Sequence, residues 1–395
     1  MRKGKPMKIL YVIPLSGGGL SGGRAYTLAI LSSLNSIFGA DNIDLVLTDT
    51  NPDTFANKVV FRTKDATTNF ERLKNIVCGD IAKRSKKDVD TIIRLVTENR
   101  YELVVLGDSV AGRLTKRIKK AAPETTTMTI YNDIVADQVR MNFKNNFSLL
   151  KIPAWLADIH LEKLDARYTD IPVVLHKRDA DLLKKYWKRE TTNYLPIALE
   201  DTFVADSAGS CESPMLKLLF VGNYHWPPNQ QAISWFCQEV MPFLHDGIIF
   251  LIVGQGTEKA VNDHHIGALS NVRVLGTVAD LSAVYASADV VVEPIVAGSG
   301  MKVKTAEALM HGKYILGTPE ALVGYEGLAE NECLDANEFV ERLNSLLENR
   351  PPKFIEKYRN YYEEEFSLSA MKKHLELILG RFLTKPVPQS TLSNS

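Results

Sequence analysis

Short, uninterrupted apolar runs alternate with helical stretches along most of this 395-residue chain. Representative runs lie at 43–48, 126–131 and 216–221, and they lack the sustained polar–apolar alternation of a half-exposed strand. Residues 88–97 represent the helical stretches, because their apolar side chains recur at the spacing of one buried helical face. Buried parallel strands joined by helical crossovers have this signature, so the pattern predicts an α/β fold.

The alternation is interrupted once, after Pro196. Residues 197–214 are polar and rich in small residues, and the strand–helix pattern resumes at 216. This interruption predicts two tandem α/β domains, each a parallel sheet flanked by helices. The predicted boundaries are 1–197 for an N-terminal domain, 198–214 for a linker, 215–355 for a second domain, 356–383 for C-terminal helices and 384–395 for a flexible tail.

Composition and charge restrict the cellular setting. No apolar run approaches 18 residues, the first apolar segment is too short for a signal peptide, and the four cysteines lie far apart. We therefore expect a cytoplasmic protein without a disulfide framework or zinc site. Residues 1–200 hold 32 Lys and Arg against 23 Asp and Glu, whereas 201–395 hold 15 against 24. This asymmetry has two interpretations: ordinary solvated helix faces, or a basic half that rests on an anionic surface such as the inner leaflet of a membrane. It does not favour binding of nucleic acid.

The first glycine cluster follows the first apolar run. Gly17, Gly19 and Gly22 fit the G-x-G-x-x-G pattern of a dinucleotide site, and Asp49 ends the next strand candidate. Asp49 lies 27 residues beyond Gly22, against about 20 in that pattern. An NAD-dependent oxidoreductase is therefore kept as an alternative.

The second glycine cluster has a more specific context. A buried run at 289–292 leads to Gly298-Ser299-Gly300, and a helix is expected to begin near Met301. Lys302 and Lys304 would then lie in the first helical turn, where the helix dipole disfavours cations unless an anion is bound. The pattern predicts a phosphate site built from backbone N–H groups and lysine, with an ordinary helix start as the alternative. Glu307, further along the same helix, is within reach of a ribose.

Further motifs are distributed over residues 216 to about 330. They are 216–230 (LKLLFVGNYHWPPNQ), 276–281 (GTVADL), Tyr285, Ala288, Asp289, Pro294, 298–302 (GSGMK), Lys304, 307–309 (EAL), Gly312, Gly317 and Thr318. Together they resemble the donor domain of GT-B glycosyltransferases of the family 4 type, including bacterial surface-polysaccharide enzymes. The first half agrees in outline only. The resemblance implies a GT-B fold: two Rossmann-like domains facing a central cleft, with C-terminal helices crossing back onto the first domain.

The resemblance also implies that a nucleoside-diphosphate sugar is the donor substrate and that no separate cofactor is bound. The implied donor residues are Gly222 and Asn223 for the phosphates, Gly276, Thr277 and Val278 for the base, Gly298, Ser299, Gly300, Met301 and Lys302 for the sugar and diphosphate, and Glu307 for the ribose. Lys302 would supply the phosphate charge alone or with Lys304. In the first half, Gly18 and Gly19 of the glycine loop are further candidates for binding the donor.

The chain departs from the family pattern at several positions. Many relatives carry a second glutamate, and Ser299 occupies its place here; the usual Arg and Lys pair after the 216–221 strand is also absent. In the acceptor half, Asn132 stands where many bacterial relatives carry a histidine, with Asp133 beside it. Lys302, Asn132 and Asp133 are the catalytic candidates, although Asp133 fits a helix cap equally well. His176, Arg178 and Asp179 are expected near the same cleft, with local capping and salt bridges as their alternative role.

These inferences predict a glycosyltransferase that moves a sugar from a nucleoside-diphosphate sugar to a saccharide or lipid-linked saccharide in cell-surface polysaccharide synthesis. Retention of anomeric configuration is what the resemblance implies. Metal independence is expected because no paired-aspartate motif stands near the site. The alternatives are a sugar-nucleotide epimerase or phosphorylase on the same fold, then an oxidoreductase, then a non-catalytic carbohydrate scaffold.

Overall fold

The computed structural model describes residues 7–13, 22–48, 55–64, 68–79, 84–145, 151–204, 213–262, 264–267, 269–298 and 300–383. The chain divides into two compact units. The first comprises residues 1–195 and 371–395, and the second comprises residues 196–370. Each unit contains one parallel sheet.

The first unit has a six-stranded sheet in the order β3-β2-β1-β4-β5-β6, with every neighbouring pair parallel. Its strands are β1 (Ile9–Val12), β2 (Ile43–Thr48), β3 (Lys58–Thr63), β4 (Leu103–Leu106), β5 (Thr126–Tyr131) and β6 (Ile171–Val174). Its helices are α1 (Gly22–Phe38), α2 (Asn69–Cys78), α3 (Lys86–Asn99), α4 (Gly112–Ala121), α5 (Val135–Asn145), α6 (Ile152–Tyr168) and α7 (Lys177–Trp187), with a 3-10 turn at Ala40–Asn42. This strand order is that of a Rossmann fold.

The second unit has a five-stranded parallel sheet in the order β11-β10-β7-β8-β9. Its strands are β7 (Leu216–Val221), β8 (Ile248–Val253), β9 (Val272–Gly276), β10 (Val290–Glu293) and β11 (Tyr314–Gly317). The helices are α8 (Pro227–Glu239), α9 (His264–Gly267), α10 (Leu281–Ser287), α11 (Val303–Met310), α12 (Ala336–Glu348), α13 (Glu356–Glu365) and α14 (Leu368–Leu383), with 3-10 turns at Met241–Phe243, Thr257–Asn262 and Glu326–Asn331. Residues of α14 from Met371 onward group with the first unit.

Each sheet is stabilised by burial of its apolar strands under helices. In the first unit, Leu10 and Val104 of neighbouring strands join a core with Val89 and Ile92 of α3 and Leu114 of α4. In the second unit, the Phe236 ring of α8 lies 4.8 Å from Phe250 of β8 and 5.8 Å from Phe339 of α12, measured between ring centroids. Because helices cover these sheets, the strands need apolar side chains on both faces and are continuous apolar runs in the sequence.

The start of α11 differs from the sequence-based expectation. The helix begins at Val303, and Lys302 is its N-cap residue with an extended backbone (φ −96°, ψ 119°), so only Lys304 lies in the first turn. The helix ends at Met310, where Gly312 adopts φ 59° and the Lys313 N–H donates to the Ala308 carbonyl. Glycine tolerates this left-handed conformation, which ends the helix and lets β11 start at Tyr314.

Candidate functional site

The candidate site lies at the carboxyl edge of the second unit's sheet. The strand order reverses between β7 and β10, which are direct neighbours in that sheet. Ligands of open α/β sheets bind outside the carboxyl ends of the strands at such a reversal. The segments that follow β7 and β10 contain two of the predicted groups, which are Gly222 and Asn223 in the first segment and Gly298, Gly300–Lys302, Lys304 and Glu307 in the second.

Gly222 and Asn223 continue directly from β7. The Gly222 N–H donates to the Val253 carbonyl at the end of β8 (2.9 Å), and the Gly254 N–H donates to the Gly276 carbonyl at the end of β9 (2.8 Å). The exposed Asn223 side chain accepts from the His225 N–H (2.8 Å) and approaches Gln255 (3.3 Å). Three strand ends are thus held together by backbone hydrogen bonds between glycine-containing turns.

Gly254, which the sequence analysis did not select, is essential to this arrangement. A Cβ added at Gly254 would lie 2.0 Å from the Gly222 carbonyl oxygen, and the residue has φ 138°. Glycine is required because no side chain fits at this approach of two backbones. The Gly-Gln-Gly run after the apolar stretch at 248–253 was the available sequence signal.

Lys302 is held by the turn that precedes α11. Its ammonium donates to the Gly300 carbonyl (2.7 Å) and lies 3.3 Å from the Glu320 carboxylate. Gly300 has φ 66°, a left-handed conformation that glycine adopts without strain. The Tyr325 hydroxyl donates to the Lys302 carbonyl (2.5 Å). The cation is therefore fixed beside Gly300, and Glu320 is a partner that the sequence motifs did not indicate.

Lys304 joins the two loops. Its ammonium donates to Asn229 Oδ1 of α8 (2.8 Å) and lies 4.0 Å from the centroid of the Phe220 ring. Asn229 in turn donates to the Asn223 carbonyl (2.8 Å), and a Cβ added at Gly222 would lie 3.0 Å from Lys304 Nζ. The structure thus brings the predicted residues Gly222, Asn223 and Lys304 together, with Asn229 as an additional member.

Glu307 lies one turn beyond Lys304 and is partly buried. The Tyr285 hydroxyl of α10 donates to Glu307 Oε2 (3.2 Å), and burial raises the pKa of the Glu307 carboxyl. The Tyr285 ring also stacks on His311, with 4.7 Å between ring centroids. The Glu307 carboxylate therefore has a fixed orientation and retains the capacity to accept bonds from hydroxyl groups.

Met301 and the 276–278 segment complete the described donor candidates. Met301 is buried, and a Cβ added at Gly324 would lie 2.7 Å from its side chain. Gly276 ends β9 with φ 69°, Thr277 is exposed and Val278 is partly buried. The 276–278 segment thus presents backbone and small side chains at the same carboxyl edge.

Glu293, the last residue of β10, is a buried carboxyl that the sequence analysis missed. Its side chain is fully buried, and Oε2 accepts from the Thr305 hydroxyl of α11 (2.7 Å). Burial raises the pKa of Glu293 and lowers the pKa of Lys304, and each charge counteracts the shift of the other. A charged residue at the end of the apolar run VVVE was the signal that could have identified it.

The catalytic candidates of the first unit follow β5. Asn132 donates to the Gly107 carbonyl (3.1 Å), which places it beside the end of β4. The first N–H groups of α5 donate to the buried Glu162 carboxylate, from Val135 (2.7 Å) and Ala136 (3.0 Å). Glu162 therefore caps this helix, while Asn132 and Asp133 both remain predicted catalytic residues.

Two of the other first-unit candidates form a buried pair. His176 and Asp179, which follow β6, lie with Nε2 and Oδ2 3.2 Å apart, and both side chains are 3% exposed. Gly17, Gly18, Gly19, Asp49 and Ser299 lie outside the described residues.

Within the described ranges, no group of three or more His, Cys, Asp or Glu side chains is arranged to hold a metal ion. None of the helices described here is long and apolar enough to cross a membrane. Cys78, Cys237 and Cys333 are free thiols.

Comparison with known protein families identifies the kind of domain to which the second unit is similar. The family model described as "Glycosyl transferases group 1" matches residues 216–349, which contain the strand reversal and all described donor candidates. The chain carries a group 1 glycosyltransferase domain. No curated protein matches the chain by sequence.

Several solved glycosyltransferases share the fold of this chain. Anabaena HepE, solved with UDP and glucose, is 14% identical with a TM-score of 0.65, and the match covers 95% of this chain and 100% of HepE. WaaG, a glycosyltransferase involved in lipopolysaccharide biosynthesis, is 14% identical with a TM-score of 0.65, covering 94% and 100%. A trehalose-6-phosphate synthase studied for glycosyl transfer with retention is 10% identical with a TM-score of 0.60, covering 97% and 100%.

These matches confirm two sequence-based predictions. The chain has the GT-B fold with two Rossmann-like units, and it is a glycosyltransferase.

Proposed function

We propose that this glycosyltransferase uses a nucleoside-diphosphate sugar and transfers its sugar to a saccharide or lipid-linked saccharide acceptor. The observation that carries the proposal is the close approach of Lys304 to Gly222 at the strand reversal of the group 1 domain, with Lys302 just before and Glu307 just after Lys304 along the chain. HepE was solved with UDP, which supports a nucleoside diphosphate and makes UDP the first base to test.

The proposed chemistry is stabilisation of the departing diphosphate. Lys302 is a fixed cation at the N-terminus of α11, and the helix dipole adds positive potential at the same point. Pre-placed positive charge that acts on a leaving group lowers the barrier without reorganisation of solvent. Lys304 and Gly222 would contact the diphosphate from the β7 side, and Glu307 would accept from the ribose hydroxyls.

Retention and metal independence belong to this proposal. The synthase neighbour concerns glycosyl transfer with retention, and two lysines with a helix terminus can neutralise a diphosphate without a divalent ion. We expect chelation with EDTA to leave turnover unchanged and the product to keep the donor's anomeric configuration by NMR. Loss of turnover in EDTA, restored by a divalent cation, or an inverted product would contradict this part.

In the first unit, Asn132 and Asp133 are proposed to orient the acceptor, with His176, Arg178 and Asp179 as further candidates. The likeness to WaaG supports an acceptor of cell-surface polysaccharide synthesis. An Asp133→Asn variant should raise the acceptor KM while leaving affinity for the nucleoside diphosphate unchanged. Unchanged acceptor kinetics would remove Asp133 from the acceptor site.

A cytoplasmic location with peripheral contact to the inner leaflet is proposed from one basic surface of the first unit. Lys116 and Lys120 of α4 and Lys163 and Arg167 of α6 are exposed, and α4 packs against α6. Lys116 and Arg167 both lie over the Tyr168 ring, at 5.8 Å and 5.5 Å. Clustered cations of this kind attract anionic lipid headgroups.

Vesicle sedimentation tests the membrane contact. The wild type should bind vesicles that contain anionic lipid and should not bind neutral vesicles, and Lys116→Glu with Lys120→Glu should abolish binding. Lys259→Glu with Lys357→Glu makes the same charge change at exposed positions of the second unit and should leave binding intact. Equal binding by both double variants would contradict the assignment.

Thermal unfolding with UDP, GDP, dTDP, CMP and NAD, each in excess, tests the donor class. A ligand at 100 times its Kd adds about 2.7 kcal/mol of stability, which moves the unfolding midpoint measurably. We expect one nucleoside diphosphate to stabilise the wild type and to lose most of its effect in Lys302→Ala. Stabilisation by NAD alone would support the oxidoreductase alternative and the first glycine cluster.

An epimerase or phosphorylase is separated from a transferase by product analysis. A transferase releases nucleoside diphosphate only in step with acceptor glycosylation. An epimerase would convert the donor without an acceptor, and a phosphorylase would require inorganic phosphate.

A further inference from the structure

The segment that follows β11 brings a carboxylate to the residues just before α11. Thr318, the first residue after β11, anchors this segment, because its N–H donates to the Glu293 carbonyl at the end of β10 (3.2 Å) and its hydroxyl donates to the Ile295 carbonyl. The same hydroxyl accepts from the Ala321 N–H (3.1 Å). Glu320 lies between these two anchored residues, so its backbone is fixed beside the segment that follows β10.

Glu320 and Lys302 form an ion pair at this point. Glu320 Oε1 lies 3.3 Å from Lys302 Nζ, and the same ammonium donates to the Gly300 carbonyl (2.7 Å). The Lys302 side chain is 13% exposed and the Glu320 side chain is 22% exposed, so the pair is largely shielded from solvent and is still accessible to a ligand. Shielding of this kind preserves more of the electrostatic effect of both charges than an open surface would.

Gly298 leaves space beside this ion pair. A Cβ added at Gly298 would lie 3.7 Å from Lys302 Nζ and 4.0 Å from Glu320 Oε1, which are ordinary van der Waals distances. A ligand group placed at that point would therefore contact the cation and the carboxylate together.

The two charges favour different parts of a nucleoside-diphosphate sugar. The Lys302 ammonium attracts phosphate oxygens, whereas the Glu320 carboxylate repels them and accepts hydrogen bonds from hydroxyl groups. Hydroxyl groups are carried by the ribose, which the proposed function assigns to Glu307, and by the sugar that is transferred. A carboxylate can accept about four hydrogen bonds, so Glu320 can keep Lys302 as a partner and accept from a sugar hydroxyl as well.

We propose that Glu320 is a specificity-determining residue of the donor site: its carboxylate accepts from a hydroxyl of the transferred sugar while it holds the Lys302 ammonium beside the diphosphate. This role rests on the proposed function. It restricts the donor to a neutral sugar that carries hydroxyl groups, because the carboxylate of a uronic acid would be repelled by Glu320.

Calorimetry on the full chain with UDP, UDP-glucose and UDP-galactose tests the proposal, and the UDP-sugar that the wild type binds more tightly is used for the comparison. Glu320→Gln keeps an oxygen that can accept from Lys302 and removes the negative charge. The affinity for the UDP-sugar relative to UDP should fall about 10-fold, as expected when a hydrogen bond to a charged acceptor is replaced by one to a neutral acceptor. The affinity for UDP itself should stay the same or rise, because a negative charge near the diphosphate is removed.

Glu326→Gln provides the matched control. It makes the same charge change at an exposed position in the 3-10 turn that follows Glu320 in the chain, and it should leave both affinities unchanged. If thermal unfolding selects GDP or dTDP, then GDP with GDP-mannose or dTDP with dTDP-glucose replaces the UDP set.

The outcomes separate this proposal from the proposed function. A wild type that binds no nucleoside diphosphate overturns the proposed function. If the wild type binds UDP and neither UDP-sugar, or if Glu320→Gln leaves the relative affinity unchanged, the role of Glu320 is refuted. Equal losses of affinity for UDP and for the UDP-sugar in Glu320→Gln would also refute it, since they would show that Glu320 only holds Lys302 in place.

Competition between UDP-glucose and UDP-glucuronate for the wild type gives a readout that requires no variant. The two donors differ at C6, which is a hydroxymethyl group in the first and a carboxylate in the second. UDP-glucuronate should bind several-fold more weakly, because its carboxylate would lie near that of Glu320. Where another base is selected, its hexose and uronate forms are compared. Equal or tighter binding of the uronate would refute the proposal, even if Glu320→Gln does not fold.

Discussion

Replacing Gly222 by alanine should weaken donor binding while the second unit stays folded. The added Cβ would lie 2.8 Å from Asn229 Nδ2 and 3.0 Å from Lys304 Nζ, so both side-chain ends must move. Their movement disturbs the bond from Asn229 to the Asn223 carbonyl and the bond from Lys304 to Asn229. We expect a loss of about 1–2 kcal/mol in the free energy of unfolding, since one neutral and one charge-assisted hydrogen bond are weakened and not abolished.

The effect on binding should be larger than the effect on folding. Displacement of Lys304 removes a charge-assisted contact worth about 1.5–3 kcal/mol, which corresponds to about a 10- to 100-fold loss of UDP affinity. Chemical denaturation measures the first quantity and isothermal titration calorimetry with UDP measures the second.

Two other glycine variants provide the controls. Gly254→Ala places a Cβ 2.0 Å from the Gly222 carbonyl oxygen at φ 138° and should destabilise the protein by about 3 kcal/mol or more. Gly380→Ala lies on α14 with nothing within 4 Å of the added Cβ, and it should stabilise the helix by about 0.5–1 kcal/mol without changing UDP affinity. A folded Gly222→Ala protein with wild-type UDP affinity would refute the role of this turn.

Three further predictions follow from named contacts. Glu307→Gln should weaken binding of the preferred nucleoside diphosphate about 10-fold or more, and this penalty should shrink with the 2′,3′-dideoxy analogue if the ribose is the partner. Burial lowers the pKa of His311 to about 4, so between pH 6.5 and 4 the unfolded state binds more protons than the folded state. The free energy of unfolding should therefore fall as the pH drops through this range. His311→Phe should reduce this pH dependence, measured by thermal unfolding. Glu162→Gln replaces one acceptor of the Val135 and Ala136 N–H groups by a donor and should lower the free energy of unfolding by about 1–3 kcal/mol, measured in urea, with UDP affinity retained.

The sequence predicted most strands because burial makes them continuous apolar runs. β2, β5 and β7 have the bounds expected from the sequence. β3 was missed because it is the sheet's edge strand, and its polar ends and partial exposure give no continuous run. The region 356–383, where C-terminal helices were expected, contains α13 and α14, and the Ser367 hydroxyl accepts from the Ala370 N–H at the break between them.

The candidate site was predictable where the chemistry is local in sequence. Gly300, Lys302 and Glu307 lie within eight residues of one another in the sequence, so their spacing was sufficient to predict them together. Asn229 and Glu320 were missed because they meet the lysines only when separate segments pack together. Glu293 was missed for the same reason, since its partner is Thr305 of α11. The exact start of α11 was also misplaced, since extended backbone at Lys302 leaves no clear signal in the residue types.

A crystal structure with the nucleoside diphosphate selected by thermal unfolding tests the central claim most directly. We expect the diphosphate at the N-terminus of α11, with an oxygen within about 3.2 Å of Lys302 Nζ and the ribose hydroxyls facing Glu307. A nucleotide bound at the carboxyl edge of the first unit's sheet instead, with the 298–304 segment empty, would contradict it.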